Sequence, residues 1–92
     1  MTEVTLSGRL ICATADEALR VRAALPAHIV LTRAEAGCIS FEVTETDDPL
    51  VWNVSERFTG KAAFEAHQVR ASASDWARET AGIKRDYVVD GL

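Results

Sequence analysis

TRAEAGCISFEVTETDDPLVWNVSERFTGKAAFEAH, residues 32–67, is the stretch that decides the fold. Polar and apolar residues alternate over 38–44, before the turn sequence Asp47-Asp48-Pro49, and again over 51–58, after it. Because successive side chains of a strand point to opposite faces, each run has one mainly apolar face. Two such runs around a turn are typical of a β-hairpin, which the sequence therefore predicts here.

The apolar face of this hairpin carries one carboxylate, Glu56. The predicted core side holds Ile39, Phe41 and Val43 on the first run and Trp52, Val54, Glu56 and Phe58 on the second. A carboxylate in such surroundings must be paired, neutralised or hydrated. Glu56 is therefore either hydrogen-bonded to a helix end or to His67, or an acid or base in a pocket.

A strand and a helix are predicted before the hairpin. Residues 4–13 form the strand, and Gly8 within it indicates a bulge or a close approach by another group. Thr14 with Glu17 has the form of a capping box, so a helix should begin there. Pro26 predicts a kink or two helical pieces, and the segment should end near Gly37.

Helical residues and a last strand follow the hairpin. Thr59 is the predicted N-cap of a helix that carries Phe64 and His67 on one stripe. A short helix over 75–79 and a strand over 83–89 complete the chain. The order strand, helix, strand, strand, helix, strand predicts the α+β class, with the ferredoxin-like βαββαβ arrangement, an antiparallel sheet and helices on one sheet face.

The other sheet face should meet water or a second subunit. It is mainly polar, with Arg9 and Arg57, for which an ion pair at a subunit contact, for example with Glu42, is the ordinary explanation. Ile11, Val51 and Val88 interrupt the polar pattern.

Length and charge narrow the class of protein. A chain of 92 residues is one domain, 1–92, and buries only roughly 60–65% of its unfolded surface, so pairing with a second copy would help it. A net charge of −4 argues against nucleic acid as a partner. The sequence has neither a signal-peptide pattern nor an apolar segment long enough to span a membrane, so we expect a cytoplasmic protein with no membrane partner and with Cys12 and Cys38 reduced.

The ordered set of motifs resembles the antibiotic biosynthesis monooxygenase domain, the group that includes small quinol monooxygenases. The resemblance covers nearly the whole chain and is densest over residues 32–67. It is carried by Thr32-Arg33-Ala34-Glu35-Ala36-Gly37-Cys38, Phe41-Glu42-Val43, the Asp-Asp-Pro turn, Glu56-x-Phe58 and Ala63-Phe64-x-x-His67.

The resemblance implies a homodimer whose two sheets pack as a dimeric α+β barrel, with a pocket between each sheet and its own helices. Members with oxygenase activity use neither metal nor flavin. Their aromatic substrate loses a proton, and the electron-rich anion reacts with oxygen directly. Other relatives bind and degrade haem, and some have no established activity.

This chain departs from the aromatic-oxidising pattern at three positions. Those relatives often have Trp where Phe58 stands, and they can have Asn in place of Val54 and Tyr in place of Phe64. The pocket should therefore be drier, with fewer hydrogen bonds to a hydroxylated substrate. Haem-degrading relatives use Asn on the first strand together with Trp and His; the first strand here has no Asn.

Two residues are the candidates for proton transfer. His67 is either a histidine at the edge of the core, hydrogen-bonded to a carbonyl or to Glu56, or a general base or ligand-orienting group, because histidine ordinarily titrates near neutral pH. Glu56 is the candidate acid or base. The candidates for substrate binding, each of which could equally be plain core, are Phe41, Trp52, Val54, Phe58, Phe64 and Trp76.

Three functions remain open from the sequence. The first is a cofactor-independent monooxygenase that oxidises a small phenolic, quinol or polycyclic aromatic substrate with O2, without a metal site. The alternative is a non-catalytic dimer of the same fold that binds a small aromatic molecule. The second alternative is a haem-binding or haem-degrading relative.

Overall fold

A computed structural model describes residues 2–92. Four strands and three helices follow the predicted order. The first and last strands of the chain begin and end within two residues of their predicted bounds. The elements are β1 (Val4–Ile11), α1 (Ala15–Arg33), β2 (Cys38–Glu45), β3 (Val51–Phe58), α2 (Lys61–Ser72), α3 (Asp75–Glu79) and β4 (Lys84–Asp90).

The strands form one sheet in the order β2-β3-β1-β4, and every neighbouring pair is antiparallel. The helices pack on one face of this sheet and enclose the core with it. This is the ferredoxin-like α+β arrangement, and it confirms the predicted fold class. Among residues 2–92, the helices are all too short or too polar to cross a lipid bilayer.

The hairpin buries the predicted face of β3, but β2 contains a bulge. Cys38 pairs with Phe58 and Ser40 with Arg57, so β2 has one extra residue between these two pairs. An extra residue reverses the alternation of side chains on its strand. Cys38 consequently packs against the core while Ile39 is exposed, and the prediction that Ile39 faces the core was wrong.

Gly8 lies where β4 passes close to β1. A Cβ atom at this position would lie 2.0 Å from the carbonyl oxygen of Asp86, and its φ of +150° disfavours any other residue. The close approach that the sequence indicated is therefore the backbone of β4, and Gly8 pairs directly with Tyr87.

The long helix continues through Pro26. The chain forms a single helix over Ala15–Arg33 rather than two pieces. Proline removes one hydrogen bond, whereas the helix buries a continuous stripe against the sheet, which stabilises it over its whole length. Its start is as predicted, because Thr14 Oγ1 accepts the N–H of Glu17 while the Glu17 carboxylate accepts the N–H of Ala13.

The N-cap prediction for α2 was wrong by one residue. Gly60 occupies the N-cap position and its carbonyl oxygen accepts the N–H of Phe64. Thr59 instead donates its N–H to the carbonyl oxygen of Gly37, which ties the start of α2 to the loop before β2.

The sheet face opposite the helices is polar, and its ion pairs form within one chain. Arg57 binds Glu3 at 2.8 Å rather than Glu42, and Glu42 binds Arg33 at 3.1 Å. Within the chain, Arg57 is therefore paired with Glu3, the residue before β1, and Glu42 is paired with Arg33.

Candidate functional site

A cavity of about 330 Å³ lies between the sheet and the helices. Its walls come from all four strands and all three helices, and apolar side chains form slightly more than half of them. Five of the eight residues singled out in the sequence line it, namely His67, Glu56, Phe41, Val54 and Trp76. Their common location follows from the pairing of β2 with β3, which sets Phe41 opposite Glu56 and Val43 opposite Val54.

The other three singled-out residues, Trp52, Phe58 and Phe64, do not line this cavity. Trp52 lies at the turn end of β3, where the guanidinium of Arg22 sits 5.7 Å from its ring centroid. Phe58 is fully buried, and its ring centroid is 5.7 Å from that of Phe64 and 5.0 Å from that of His67. Phe58 and Phe64 are thus core residues, and Phe58 supports the ring of His67.

The side chain of Glu35, which no sequence pattern had indicated, binds the Nδ1 atom of His67. This Nδ1 lies 3.0 Å from Glu35 Oε1, and the same carboxylate accepts a hydrogen bond from Arg70 Nε. Because a carboxylate only accepts, Nδ1 carries a proton, and in the neutral imidazole the lone pair is on Nε2. Arg70 is itself fixed by donating to Thr32 Oγ1 at 2.9 Å. Within residues 2–92, neither of the expected partners, a backbone carbonyl or Glu56, lies at hydrogen-bond distance from the ring of this histidine.

Glu56 and His67 both line the cavity and lie close to each other. The Oε1 atom of Glu56 lies 3.9 Å from His67 Nε2, which is longer than a hydrogen bond. That oxygen is buried and has no hydrogen-bond partner within residues 2–92. Burial raises the pKa of this carboxyl to about 7, and the charge of Glu35 adds to the shift. The predicted hydrogen bond from Glu56 to a helix end or to His67 is therefore not made.

His28 is a second histidine at the site, to which the sequence analysis gave no role. Its ring stacks on Trp76 with centroids 4.6 Å apart and meets Phe41 edge-on. Burial, followed by the nearby charges of Arg70 and His67, lowers the pKa of His28 to about 4. Its Nδ1 is buried without a partner among the described residues.

Two residues of β4 were also missed, although alternation along that strand could have found them. Arg85 and Tyr87 line the cavity beside Leu6 of β1. Burial raises the pKa of Tyr87 to about 12, so its hydroxyl stays protonated at neutral pH.

The arrangement can move a proton in apolar surroundings. A carboxylate that accepts a hydrogen bond from an imidazole fixes its tautomer, and an unpaired carboxyl on the other side of the ring can donate or accept a proton. Within residues 2–92, no three His, Cys, Asp or Glu side chains are grouped as a metal ion would require. Both cysteines are free thiols, and burial raises the pKa of each.

Comparisons with known proteins agree with this fold. The family model for antibiotic biosynthesis monooxygenases matches residues 9–79. Among solved structures, Rv0793 from Mycobacterium tuberculosis is 26% identical, with a TM-score of 0.71, and the match covers 96% of this chain and 90% of that one. PA3566 from Pseudomonas aeruginosa is 24% identical, with a TM-score of 0.73, and the match covers 100% of this chain and 93% of that one.

SnoaB, a cofactor-independent oxygenase from Streptomyces nogalater, has the same fold. Its TM-score is 0.79 over 100% of this chain and 94% of SnoaB, but it is only 13% identical. No curated protein has a sequence that matches this one. The family model covers well over half of the chain, and the protein therefore belongs to the antibiotic biosynthesis monooxygenase family.

Proposed function

We propose that this protein is a cofactor-independent monooxygenase that oxidises a small phenolic, quinol or polycyclic aromatic substrate with O2. The observation that carries the proposal is the pairing of His67 with Glu35 at the wall of an apolar, aromatic cavity that also holds the unpaired carboxyl of Glu56. Family membership and the similarity to SnoaB support it.

The proposed first step is removal of a proton from the substrate. His67 Nε2 accepts the proton of a ring hydroxyl or an activated ring C–H, and Glu35 stabilises the imidazolium that forms. With its pKa of about 7, Glu56 is partly protonated at neutral pH and donates a hydrogen bond to a substrate oxygen. Phe41 and the stacked pair of Trp76 and His28 hold the ring.

The oxidation itself balances without an external reductant. The substrate anion transfers electrons to O2, one oxygen atom forms a new bond to the ring carbon, and the O–O bond breaks. Conversion of a ring CH2 to C=O, or of a phenol to a quinone, leaves the second oxygen as water, with both of its hydrogens supplied by the substrate. All four electrons come from the substrate. The apolar walls exclude water from the reactive anion.

Oxygen uptake tests the proposal. Metal-free and flavin-free protein is incubated with a panel of hydroquinones and anthrones, and uptake and quinone formation are followed together. We expect one O2 consumed per hydroxyquinone or anthraquinone formed, with water and not hydrogen peroxide as the second product, and a rate at least about a hundredfold lower in His67→Gln. The matched control is Glu65→Gln, an exposed residue of the same helix that does not line the cavity. No uptake above the protein-free blank with any substrate would refute the proposal.

A non-catalytic binding role is the second candidate, and the apolar Val54 in the cavity wall favours it. Oxygenase relatives can have Asn at this position, and Phe58 and Phe64 likewise stand where those relatives have polar-capable residues. If His67→Ala binds aromatic ligands as the parent protein does, and neither turns them over, the binding role is the better description.

Haem suits the described residues less well. An axial ligand needs a histidine nitrogen free to reach the iron, but the Glu56 carboxyl lies 3.9 Å from His67 Nε2, in the space that the iron would take. His28 is stacked flat on Trp76. A haemin titration that gives a histidine-ligated absorption band would favour this role over the other two.

We also propose that the protein is a homodimer in which the exposed sheet face meets its copy. Val88 is 61% exposed on that face, and Val51 pairs with Ile11 of β1 elsewhere on it. Light scattering coupled to size exclusion should give twice the chain mass, and Val88→Glu should shift it toward the monomer.

A further inference from the structure

Arg85 is an arginine without a carboxylate partner at the mouth of the cavity. Six of the eight arginines form ion pairs with Asp or Glu, and within residues 2–92 only Arg9 and Arg85 do not. Arg9 lies on the open sheet face. Arg85 lines the cavity together with Leu6 and Tyr87, so its charge is uncompensated at the place where a ligand would enter.

Neutral groups hold the guanidinium of Arg85 in place. Its Nη1 donates to the carbonyl oxygens of Thr80 and Ile83 at 3.1 and 3.0 Å, and its Nη2 donates to Thr80 Oγ1 at 2.8 Å. Thr80 is fully buried and its hydroxyl donates to the carbonyl oxygen of Trp76. The side chain is therefore fixed at the C-terminal end of α3 before any ligand binds.

These contacts leave one edge of the guanidinium free. Arginine has five N–H donors; the three hydrogen bonds use both of Nη1 and one of Nη2, so Nε–H and the second Nη2–H remain. The Nε and Nη2 edge is the one that Arg20, Arg22 and Arg57 use to bind carboxylates elsewhere in this protein. A planar carboxylate fits this fork with two parallel hydrogen bonds.

We propose that Arg85 recognises a carboxylate on the ligand, so that the substrate class is an aromatic hydroxy acid rather than an uncharged phenol. The aromatic part of this inference rests on the proposed function. The ligand would place its ring between Phe41 and Trp76, its hydroxyl toward His67 and Glu56, and its carboxylate on the free edge of Arg85.

Calorimetric titration under nitrogen tests this with 2-naphthol and 6-hydroxy-2-naphthoate, which differ only in the carboxylate. We expect the acid to bind about tenfold more tightly to the parent protein, since a charged hydrogen-bonded pair is worth roughly 1.5 kcal/mol or more. Arg85→Gln should reduce the ratio of the two affinities, acid to 2-naphthol, to about one. Arg85→Lys keeps the charge but not the fork and should give an intermediate ratio.

Arg9→Gln is the matched control, because it removes the same charge from the opposite sheet face and should leave the ratio unchanged. If the parent protein shows no preference for the acid, or if Arg85→Gln keeps it, the proposal is overturned. Tighter binding of 2-naphthyl phosphate than of the acid would overturn the carboxylate assignment. If the parent protein prefers the acid about tenfold but consumes no oxygen with any substrate, the monooxygenase proposal is refuted and carboxylate recognition by Arg85 is supported.

Discussion

The Nδ1 atom of His67 lies 3.0 Å from Oε1 of Glu35, a residue 32 positions earlier in the chain. This contact joins α2 to the loop before β2, and Arg70 binds the same carboxylate from the next turn of the helix. It leaves Nε2 as the one imidazole nitrogen that can accept a proton from a ligand, and it fixes the orientation of the ring.

Glu35→Gln tests whether this carboxylate assists proton transfer at His67. The amide keeps the shape and can still accept from Nδ1, but it cannot stabilise an imidazolium. We expect the rate of oxygen uptake to fall by at least about tenfold, because part of the contribution of a general base, about 10²–10⁴, is lost. The free energy of unfolding should fall by about 1–3 kcal/mol, since Arg70 loses its charged partner.

Glu65→Gln on the exposed side of α2 is the matched control for Glu35→Gln. It removes an exposed carboxylate whose ion-pair partner within residues 2–92 is Lys61, at 3.8 Å, and it should change neither the uptake rate nor the free energy of unfolding noticeably. If Glu35→Gln behaved like Glu65→Gln in the uptake assay, the dyad would have no catalytic role.

Glu56 should make the protein less stable as the pH rises. Its pKa is about 7 in the folded chain against 4.5 unfolded, so the folded state binds the proton more tightly between these values. The stabilisation is complete below pH 4.5 and is lost as the pH rises through 7. Urea unfolding can be compared at pH 4.5 and pH 8. The free energy of unfolding of Glu56→Gln, taken relative to that of the parent protein, should be about 3 kcal/mol higher at pH 8 than at pH 4.5. A constant difference would contradict the burial of this carboxyl.

His28 should act in the opposite direction. Its pKa is about 4 in the folded chain against 6.5 unfolded, so the unfolded state binds the proton more tightly between these values. Stability is therefore lost as the pH falls from 6.5 to 4, by about 3 kcal/mol in total. His28→Phe retains a ring to stack on Trp76 and should abolish this loss in the same unfolding experiment.

The two effects oppose each other between pH 4.5 and 6.5. The parent protein should consequently have nearly constant stability in this window, whereas Glu56→Gln should lose stability as the pH falls and His28→Phe should gain it. Slopes of the same sign in the two variants would refute this account.

Gly8→Ala should be strongly destabilising. The new methyl group would lie 2.0 Å from the Asp86 carbonyl oxygen, so β4 must move, and we expect a loss on the order of 3 kcal/mol in chemical unfolding. Gly82→Ala is the control: its φ is also positive, at +83°, but a methyl group there meets nothing within 4 Å. It should cost only about 1 kcal/mol. Equal losses would mean that backbone conformation rather than the approach of β4 decides.

Local patterns predicted most of the fold. Alternation over 51–58 identified the buried face of β3, Thr14 with Glu17 identified the start of α1, and Gly8 indicated the approach of another group. These signals succeed because each depends on neighbours within four residues. The bulge at Ile39 was missed because one extra residue reverses a strand face without changing the composition around it.

The sequence by itself determined the order of the elements, the family and five residues of the cavity wall, since strand and helix periodicities report directly which side chains turn inward. Only the tertiary structure decided that Glu35 rather than Glu56 binds His67, that His28 stacks on Trp76, and that Trp52 lies outside the cavity. The physical reason is that these relationships depend on where α1 and α2 cross the sheet. That position is set by packing between residues tens of positions apart, which no local spacing records.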